Sequence, residues 1–281
     1  MRRSCVAESS GLEPGAGTAP EGMLSRALAL KEKLRNGGTV IGAWLTIADP
    51  SVTEIMGKVG FDYLMVDSEH SPFDLQVLQT MLMALNGSPT VPMIRVAWND
   101  HVRIKQLLDM GWEGILAPMV KTVEDCRELV AACKYPPEGR RGFGPKRASN
   151  YYRDIDAYVA KANDAIFVMP QIEHIETVGV LDEFLAVPGI DAVAIGPNDL
   201  SGTAGLLRNL SHPTVKTAHD TIVSKTKAKG LPVCLGVNTP AAQNKEWVEK
   251  GVRFLMVTSD IELLAGGGSA ALRATREAIG G

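Results

Sequence analysis

Cysteine is scarce in this sequence. There are four cysteines among 281 residues, and none lies in a CxxC pair or at the spacing of a metal finger. The sequence therefore gives no sign of a zinc finger or of a disulfide framework. Unpaired, buried thiols are typical of a reducing compartment, so we expect a cytoplasmic protein. The four positions are Cys5, Cys126, Cys133 and Cys234.

Long apolar runs and an excess of one charge are also missing. No apolar stretch approaches the roughly 18 residues that a membrane-spanning helix needs. The formal net charge is −3 and the pI is about 6.0, which gives no reason to expect nucleic acid or an anionic membrane surface as a partner. We therefore expect neither a nucleic-acid partner nor a membrane partner.

Regular periodicity is absent from the first 22 residues, where serine, glycine and proline recur. Such a segment has little apolar surface to bury. Two arginines near the start could belong to a targeting signal, but no apolar region follows them, and the three glutamates of the segment are untypical of a transit peptide. We predict a disordered tail over residues 1–22 and a single domain over residues 23–281.

From Leu24 onward, short apolar runs alternate with amphipathic stretches. The runs are continuously apolar, which is typical of parallel strands covered on both faces. Eight strands that are each followed by a helix predict an α/β fold, a single (β/α)₈ TIM barrel. No GxGxxG motif follows the first strand, so a doubly wound open sheet is less favoured. The predicted strands are 40–47, 61–67, 92–96, 115–120, 166–172, 192–195, 233–237 and 254–257, and the last helix, 263–279, is expected to be broken.

Ionisable and polar side chains follow four of these strands. A single strand that ends in charge often does no more than run out into solvent. Four such strands of one barrel, however, place their carboxyl ends at one mouth, where barrel enzymes build their sites. The residues are Asp67, Glu69 and His70 after the second strand, Arg95 after the third, Gln171, Glu173 and His174 after the fifth, and Asn198 and Asp199 after the sixth.

The residue types at this mouth indicate a metal-assisted reaction. Glu173 and Asp199 are hard oxygen ligands that suit Mg²⁺ or Mn²⁺. Arg95 offers a planar fork for a carboxylate or for a developing enolate. His70 could act as a base, and a neighbouring Asp67 would then fix the tautomer of its imidazole.

Each of these residues also has a structural interpretation. Asp199 could cap a helix, and Glu173 could pair with a lysine at the rim. Arg95 could form a structural salt bridge, and His174 is as compatible with a rim position as with a ligand. The functional interpretation depends on the combination of two ligands, one fork and one base on different strands.

Ordered motifs throughout the chain resemble the HpcH/HpaI class II, metal-dependent pyruvate aldolase family. The resemblance covers about residues 38–265. The motifs are Gly42-Ala43-Trp44-Leu45, Gly60-Phe61-Asp62-Tyr63, Asp67-Ser68-Glu69-His70, Arg95 to Asp100, Ile104 to Gly111, Tyr135-Pro136-Pro137 with Arg141-Gly142, Gln171-Ile172-Glu173 and Ile195 to Ser201.

This resemblance implies roles for residues at the mouth. Glu173 and Asp199 would hold a divalent metal (Mg²⁺, Mn²⁺ or Co²⁺) that chelates pyruvate. Arg95 would stabilise the enolate oxygen, and His70 with Asp67 would form an acid–base relay.

The resemblance also implies substrate contacts and an assembly. Gln171 would lie near a metal-bound water, and the backbone at Asn198-Asp199 would receive the pyruvate carboxylate. Asp109 would reach the site of a neighbouring protomer. The family assembles as homohexamers, trimers of dimers that exchange their last helix.

The expected activity is the reversible aldol cleavage of a 4-hydroxy-2-oxo acid to pyruvate and an aldehyde. One alternative is an oxaloacetate decarboxylase or an enzyme like macrophomate synthase, which uses a pyruvate enolate. Macrophomate synthase uses a histidine just after the proline of its fourth strand, where this chain has Met119, which favours the aldolase. A catalytically inactive barrel that senses 2-oxo acids is a third possibility, but both predicted metal ligands are present. Lys121 is the only lysine close behind a strand, and its acidic surroundings make it a poor Schiff-base nucleophile.

Overall fold

The computed structural model describes residues 24–236 and 238–280, and these form a closed barrel. Eight parallel strands pair in chain order, β1 with β2 and so on around to β8, which closes on β1. The predicted TIM barrel is therefore confirmed. The predicted tail, residues 1–22, lies outside the described residues.

The strands are short and the helices between them vary in length. The strands are β1 Val40–Leu45, β2 Tyr63–Asp67, β3 Val91–Arg95, β4 Gly114–Ala117, β5 Phe167–Ile172, β6 Val193–Ile195, β7 Val233–Leu235 and β8 Val252–Ser259. The helices are α1 Ser25–Arg35, α2 Pro50–Lys58, α3 Leu75–Ala84, α4 His101–Met110, α5 Val123–Cys133, α6 Ile155–Ala165, α7 Leu181–Phe184, α8 Pro197–Thr203, α9 Pro213–Ala228, α10 Ala241–Lys250 and α11 Asp260–Ile279.

Aspartates in the loops set where several helices begin. The carboxylates of Asp49, Asp74 and Asp100 accept backbone N–H groups in the first turns of α2, α3 and α4. These bonds satisfy donors that have no partner within the helix. The helices therefore start one residue after each aspartate, on the side of the barrel where the strands end.

Two apolar cores hold the barrel together. One lies between the strands and the surrounding helices, and the other fills the barrel itself with inward side chains such as Tyr63, Met65, Phe167 and Phe254. The inner core is tightly packed. A Cβ atom added at Gly42 would lie 2.4 Å from the Tyr63 ring, so only glycine fits opposite that ring.

Helix α1 covers the end of the barrel where the strands begin. Arg26 pairs with the buried Glu113 just before β4. Lys31 is 4% exposed, lies 2.9 Å from an Asp191 carboxylate oxygen and donates to two backbone carbonyls. Helix α1 and its ion pairs therefore close the end where the strands begin. The end where the strands finish is the accessible mouth.

Three details of the helices differ from the sequence-based expectation, and the strand bounds shift by no more than three residues. The last helix, α11, is continuous from Asp260 to Ile279 and is not broken. The helix predicted after β5 is a 3₁₀ turn, Ile175–Val180, followed by the single turn α7. Two helices, the short α8 and then α9, follow β6 where one was expected.

Three of the four cysteines lie among the described residues. Cys126, Cys133 and Cys234 are unpaired and buried, and burial raises the pKa of each thiol to about 12. Cys5 lies outside the described residues. No helix among the described residues combines the length and the apolar character that crossing a membrane would require.

Candidate active site

The candidate site continues the inward face of the barrel strands. Side chains alternate along a strand, so the residue two positions after an inward residue also points inward. Met65 is followed in this way by Asp67, Met93 by Arg95, and Met169 by Gln171. The apolar filling of the barrel thus ends in a polar layer at the mouth, and the buried members of that layer are Asp67, Arg95, Gln171 and, beyond the strand, Glu173.

Asp67 and Arg95 form a two-pronged ion pair across neighbouring strands. They are direct partners in the β2–β3 register. Arg95 donates from Nε and Nη2 to the two carboxylate oxygens at 2.9 and 2.7 Å, and its guanidinium lies over the Trp44 ring, 4.6 Å from the centroid. Burial by itself would raise the pKa of Asp67, but the bonds from Arg95 outweigh it and the pKa lies below its usual value. The pair is therefore charged and Arg95 is held in one orientation.

His70 does not contact Asp67 through its ring. Asp67 Oδ1 accepts the backbone N–H groups of Glu69 and His70 at 3.1 and 3.3 Å, and both carboxylate oxygens are engaged by Arg95. The His70 side chain is 65% exposed, and its Nε2 lies 3.7 Å from Glu69 Oε2. Arg95 binds both oxygens of that carboxylate, and the expectation that Asp67 orients the imidazole stays a prediction.

Glu69 lies between Arg95 and His70. Its Oε2 is 3.2 Å from Arg95 Nε, is buried, and has no hydrogen-bond partner among the described residues. Burial raises the pKa of Glu69 in spite of the positive charge of Arg95. The sequence analysis placed Glu69 at the mouth without giving it a role. The signal was its position two residues after the inward Asp67.

Glu173 is held by one neighbour on each carboxylate oxygen. Gln171 Nε2 donates to Oε1 at 2.8 Å and the backbone N–H of Met119 donates to Oε2 at 2.8 Å. Met119 has a φ of 52°, a left-handed conformation that is costly for a side chain with a Cβ. This conformation accompanies an amide N–H that is directed at the carboxylate. Among the described residues, no lysine at the rim pairs with Glu173.

The pKa of Glu173 is raised to about 7. Burial is the main cause. The Met119 N–H acts in the opposite direction, and the carboxylates of Glu69 and Asp199 raise the pKa further. Negative groups from three strand ends therefore converge here, with Arg95 as the nearby cation.

Gly196 allows Glu173 and Gln171 to come close to β6. A Cβ atom at this position would lie 2.2 Å from Glu173 Oε1 and 2.8 Å from Gln171 Nε2. The side chain of Gln171 is buried, and its Oε1 has no hydrogen-bond partner among the described residues. Gly196 lies within the motif from Ile195 to Ser201, but its role in placing Glu173 was not predicted from the sequence.

Asn198 and Asp199 lie in the first turn of α8 and are exposed. The helix begins after Gly196 without a side-chain cap, so Asp199 is not the capping residue. The backbone oxygen of Asn198 accepts a hydrogen bond from Ser201 Oγ at 2.6 Å. Asp199 is thus left with an exposed carboxylate on the mouth side of Glu173.

Residues at the rim have structural roles. His174 Nδ1 accepts the N–H of Glu176 at 3.3 Å and caps the 3₁₀ turn. Lys121 Nζ lies 2.6 Å from Glu176 Oε2. Lys121 is therefore an exposed, paired lysine, and His174 belongs to the rim.

Asp109 lies apart from the other predicted site residues. It is on α4 and pairs with Arg141 at 2.8 Å. The Arg141 side chain is fully buried, lies over the Tyr135 ring at 4.4 Å and donates to Tyr158 Oη. The expected contact of Asp109 with a neighbouring protomer involves a second chain and stays a prediction.

The oxygen atoms at the mouth fit a hard cation. Within the described ranges, no group of three or more His, Cys, Asp or Glu side chains lies close enough to hold a metal ion by itself. Glu173 and Asp199 are nevertheless adjacent acids, and Glu69 Oε2 and Gln171 Oε1 are buried acceptors without a donor. Two carboxylate ligands with water in the other positions are a common arrangement for Mg²⁺.

The barrel as a whole has close relatives. The model of the HpcH/HpaI aldolase/citrate lyase family matches residues 40–266. The chain is 42% identical over 245 residues to the 4-hydroxy-2-oxo-heptane-1,7-dioate aldolase of Salmonella paratyphi C (strain RKS4594), which covers 86% of this chain and 92% of the relative.

Solved structures give the same result. An HpcH/HpaI aldolase from Desulfitobacterium hafniense DCB-2 superposes with a TM-score of 0.81 at 31% identity, covering 88% of this chain and 96% of that one. Macrophomate synthase superposes with a TM-score of 0.78 at 26% identity, covering 98% and 97%. The family match, the 42% identity and the shared barrel agree with the motifs in the sequence. The chain belongs to the HpcH/HpaI aldolase/citrate lyase family and is a carbon–carbon lyase.

Proposed function

We propose that this protein catalyses the reversible, metal-dependent aldol cleavage of a 4-hydroxy-2-oxo acid to pyruvate and an aldehyde. The observation that carries the proposal is the mouth itself, where the fixed Arg95 adjoins the buried Glu173 and the exposed Asp199. The name of the Salmonella relative supports this class of substrate.

Glu173 and Asp199 would hold the metal, which we propose to be Mg²⁺, Mn²⁺ or Co²⁺. When bound, such a metal acts as a Lewis acid that polarises the 2-keto group of the substrate. Gln171 and the Met119 N–H fix the Glu173 carboxylate. The backbone at Asn198-Asp199 begins a helix, and a helix N-terminus favours an anionic group such as the substrate carboxylate.

Arg95 and His70 perform the steps that the protein contributes directly. His70 takes the proton of the 4-hydroxyl group, and the C3–C4 bond breaks as that oxygen becomes an aldehyde. The electron pair of the bond is left as an enolate, whose oxygen develops negative charge. Arg95, locked by Asp67 and stacked on Trp44, stabilises that charge without having to reorganise.

Decarboxylation of oxaloacetate is a second candidate reaction. It forms the same enolate by loss of CO₂ and needs no base for a 4-hydroxyl group. The structural likeness to macrophomate synthase favours it as an alternative. The 42% identity to the Salmonella aldolase, compared with 26% to macrophomate synthase, favours the aldolase.

We further propose a cytoplasmic homohexamer, a trimer of dimers. The three buried, unpaired cysteines support the compartment. Helix α11 supports the dimers, because every residue from Ile261 to Gly280 is exposed in the single chain, including Leu264 and Leu272. An apolar helix surface of this kind is stable when a partner covers it. Asp109 would then act in the site of a neighbouring protomer.

The test is to supply 4-hydroxy-2-oxo acids of different chain length with Mg²⁺ and to measure pyruvate release, with oxaloacetate assayed in parallel. We expect pyruvate from at least one hydroxy-oxo acid at a higher kcat/KM than from oxaloacetate. A protein that releases pyruvate from oxaloacetate alone is a decarboxylase, and one that binds pyruvate without any turnover is not an aldolase.

A further inference from the structure

Helix α11 begins with a buried carboxylate that also holds the end of β1. Asp260 is 1% exposed. Its Oδ2 accepts the backbone N–H groups of Thr46 and Ile47, each at 2.8 Å, and its Oδ1 accepts Thr46 Oγ1 at 2.7 Å and the N–H of Ile261 at 2.9 Å. None of the described residues supplies a cation to this carboxylate, so its burial is compensated by hydrogen bonds alone. Three of these bonds come from the segment that follows β1.

The Asp260 side chain continues the ladder between β1 and β8 past its last pair. That ladder ends with Trp44 opposite Ser259. The next backbone N–H groups of β1 that point toward β8 belong to Thr46 and Ile47, and they bond to the Asp260 carboxylate and not to a strand carbonyl. The position of the end of β1 therefore depends on one side chain.

Trp44 lies directly before this held segment and supports Arg95 from below. The ring of Trp44 is buried, and the guanidinium carbon of Arg95 lies 4.6 Å from the centroid of the ring. Asp67 holds the edge of the same guanidinium through two hydrogen bonds. Arg95 is thus supported at its edge from β2 and at its face from β1, and only the second support depends on Asp260.

We propose that Asp260 is a positioning residue for Arg95, because it keeps the Trp44 ring beneath the guanidinium. This inference rests on the proposed function, in which Arg95 stabilises the enolate oxygen. A donor lowers the barrier most when it is fixed before the charge develops. An Arg95 that is held at its edge alone has to reorganise as the enolate forms, so the loss falls on kcat more than on KM.

The kinetic test compares two substitutions of Asp260 in two reactions. Removing a whole oxyanion donor costs about 10²–10³-fold in kcat, so we expect Asp260→Ala, which only displaces the donor, to lose about tenfold, with KM changed by less than about threefold. The loss should be the same for aldol cleavage and for oxaloacetate decarboxylation, because both form the same enolate. Asp260→Asn keeps an oxygen for the two backbone N–H groups and should recover most of kcat.

Binding of oxalate gives a measurement without turnover. Oxalate is a planar dianion that resembles the enolate of pyruvate, and a site that is complementary to the enolate binds such an analogue more tightly than the substrate. With Mg²⁺ present, calorimetry on Asp260→Ala should show an oxalate affinity about tenfold lower and a pyruvate affinity within about threefold of the wild type. An equal loss for the two ligands would mean general damage to the site and would overturn the proposal.

Asp62→Ala is the matched control, because Asp62 holds the opposite end of the same strand. Its Oδ2 accepts the N–H of Ile41 at 2.8 Å, far from the mouth. We expect kcat and oxalate affinity of Asp62→Ala to stay within about twofold of the wild type. If Asp260→Ala does not fold, as judged by circular dichroism and light scattering, Thr46→Val removes one of the bonds to Asp260 and should lower kcat and oxalate affinity in the same direction by a smaller factor.

The emission of Trp44 tests the positioning itself and needs no substrate. Subtracting the spectrum of a Trp44→Phe version from that of each protein isolates this emission. It should change in Asp260→Ala and match the wild type in Asp62→Ala. Trp44→Leu removes the ring, so Asp260→Ala/Trp44→Leu should be no slower than Trp44→Leu alone.

Two results would overturn the proposal, namely an unchanged Trp44 emission in Asp260→Ala and independent, multiplicative losses of kcat in the double variant. If the wild type releases no pyruvate from any hydroxy-oxo acid or from oxaloacetate, the proposed function fails. The Trp44 emission still decides in that case whether Asp260 holds the ring.

Discussion

The charges of two buried acids at the mouth have opposite effects on the stability of the folded protein. Asp67 is stabilised as a charged group because Arg95 pairs with it at two points. Glu173 is 3% exposed and receives two neutral N–H donors, while burial and two nearby carboxylates oppose its charge. Without a cation, the ionised Glu173 is therefore a source of instability.

Replacing this carboxylate should stabilise the metal-free protein at high pH. The folded pKa of about 7 lies above the ordinary 4.5, so the contribution of Glu173 to stability is present below pH 4.5 and is lost as the pH rises through 7. We expect Glu173→Gln to be more stable than the wild type at pH 8 in EDTA by up to about 3 kcal/mol, and close to it at pH 4.5. Urea denaturation at one protein concentration measures both differences.

The same experiment has a clear opposing result. A variant that is equally destabilised at both pH values would mean that Glu173 contributes through packing and hydrogen bonds and not through an unfavourable charge. Adding Mg²⁺ should reverse the order at pH 8, because the wild type gains a ligand that the variant has lost.

Some positions at the mouth were predicted from the sequence and others were not. The positions of Arg95, Glu173 and Asp199 at one mouth followed from their places after apolar strands. The partner of Asp67 did not, because it depends on the β2–β3 register that sets Asp67 opposite Arg95. The exposure of the His70 ring and the burial of Glu69 Oε2 were likewise not predicted from the sequence.

At the scale of elements, the close approach of β6 to the end of β5 determines where Glu173, the proposed metal ligand, can lie. Gly196→Ala adds a Cβ atom at 2.2 Å from Glu173 Oε1 and 2.6 Å from its Cγ, so the carboxylate has to move. We expect the affinity for Mg²⁺, measured by calorimetry, to fall by at least about tenfold, as for other changes that disturb a ligand's support.

Gly179→Ala is the matched control for this change. A Cβ atom at Gly179 meets nothing within 4 Å, and we expect its Mg²⁺ affinity to equal that of the wild type. If Gly196→Ala also binds Mg²⁺ normally, then Glu173 in the position described here is not a metal ligand.

Local signals predicted most of the elements. All eight strands were predicted, with bounds that differ from the observed ones by no more than three residues. Helix α8 was missed because it has seven residues and begins at a proline that also suits a loop. Helix α11 was expected to break at Gly266, Gly267 and Gly268, yet it is continuous. Glycines cost helix stability without preventing a helix that other contacts support.

At the scale of the whole molecule, the barrel was predicted from eight apolar strands. The assembly depends on contacts between chains, and helix α11 is the element that offers a surface for them. Helix α11 carries exposed Ile261, Leu264 and Leu272, and its first residue, Asp260, is anchored by Thr46 and Ile47. The helix is thus attached to the barrel at its start, and none of the described residues covers it from Ile261 to Gly280.

Removal of residues 266–281 should therefore lower the number of chains in the oligomer. We expect light scattering to give six times the chain mass of 30.1 kDa for the full protein and a smaller assembly for the truncated one. Leu264→Glu should have the same effect, whereas Lys216→Glu on the exposed face of α9 should not. A full-length monomer, or a truncated protein that remains hexameric, would contradict the proposed exchange of the last helix.

The chemistry of the mouth is tested most directly by asking whether the reaction uses a metal or a lysine. A Schiff-base aldolase needs a buried lysine with a lowered pKa, whereas Lys121 is exposed and paired with Glu176. We predict that EDTA abolishes pyruvate release, that Mg²⁺, Mn²⁺ or Co²⁺ restores it, and that borohydride added with pyruvate leaves the protein mass unchanged. Full activity in EDTA together with a pyruvate adduct on a lysine would contradict the account.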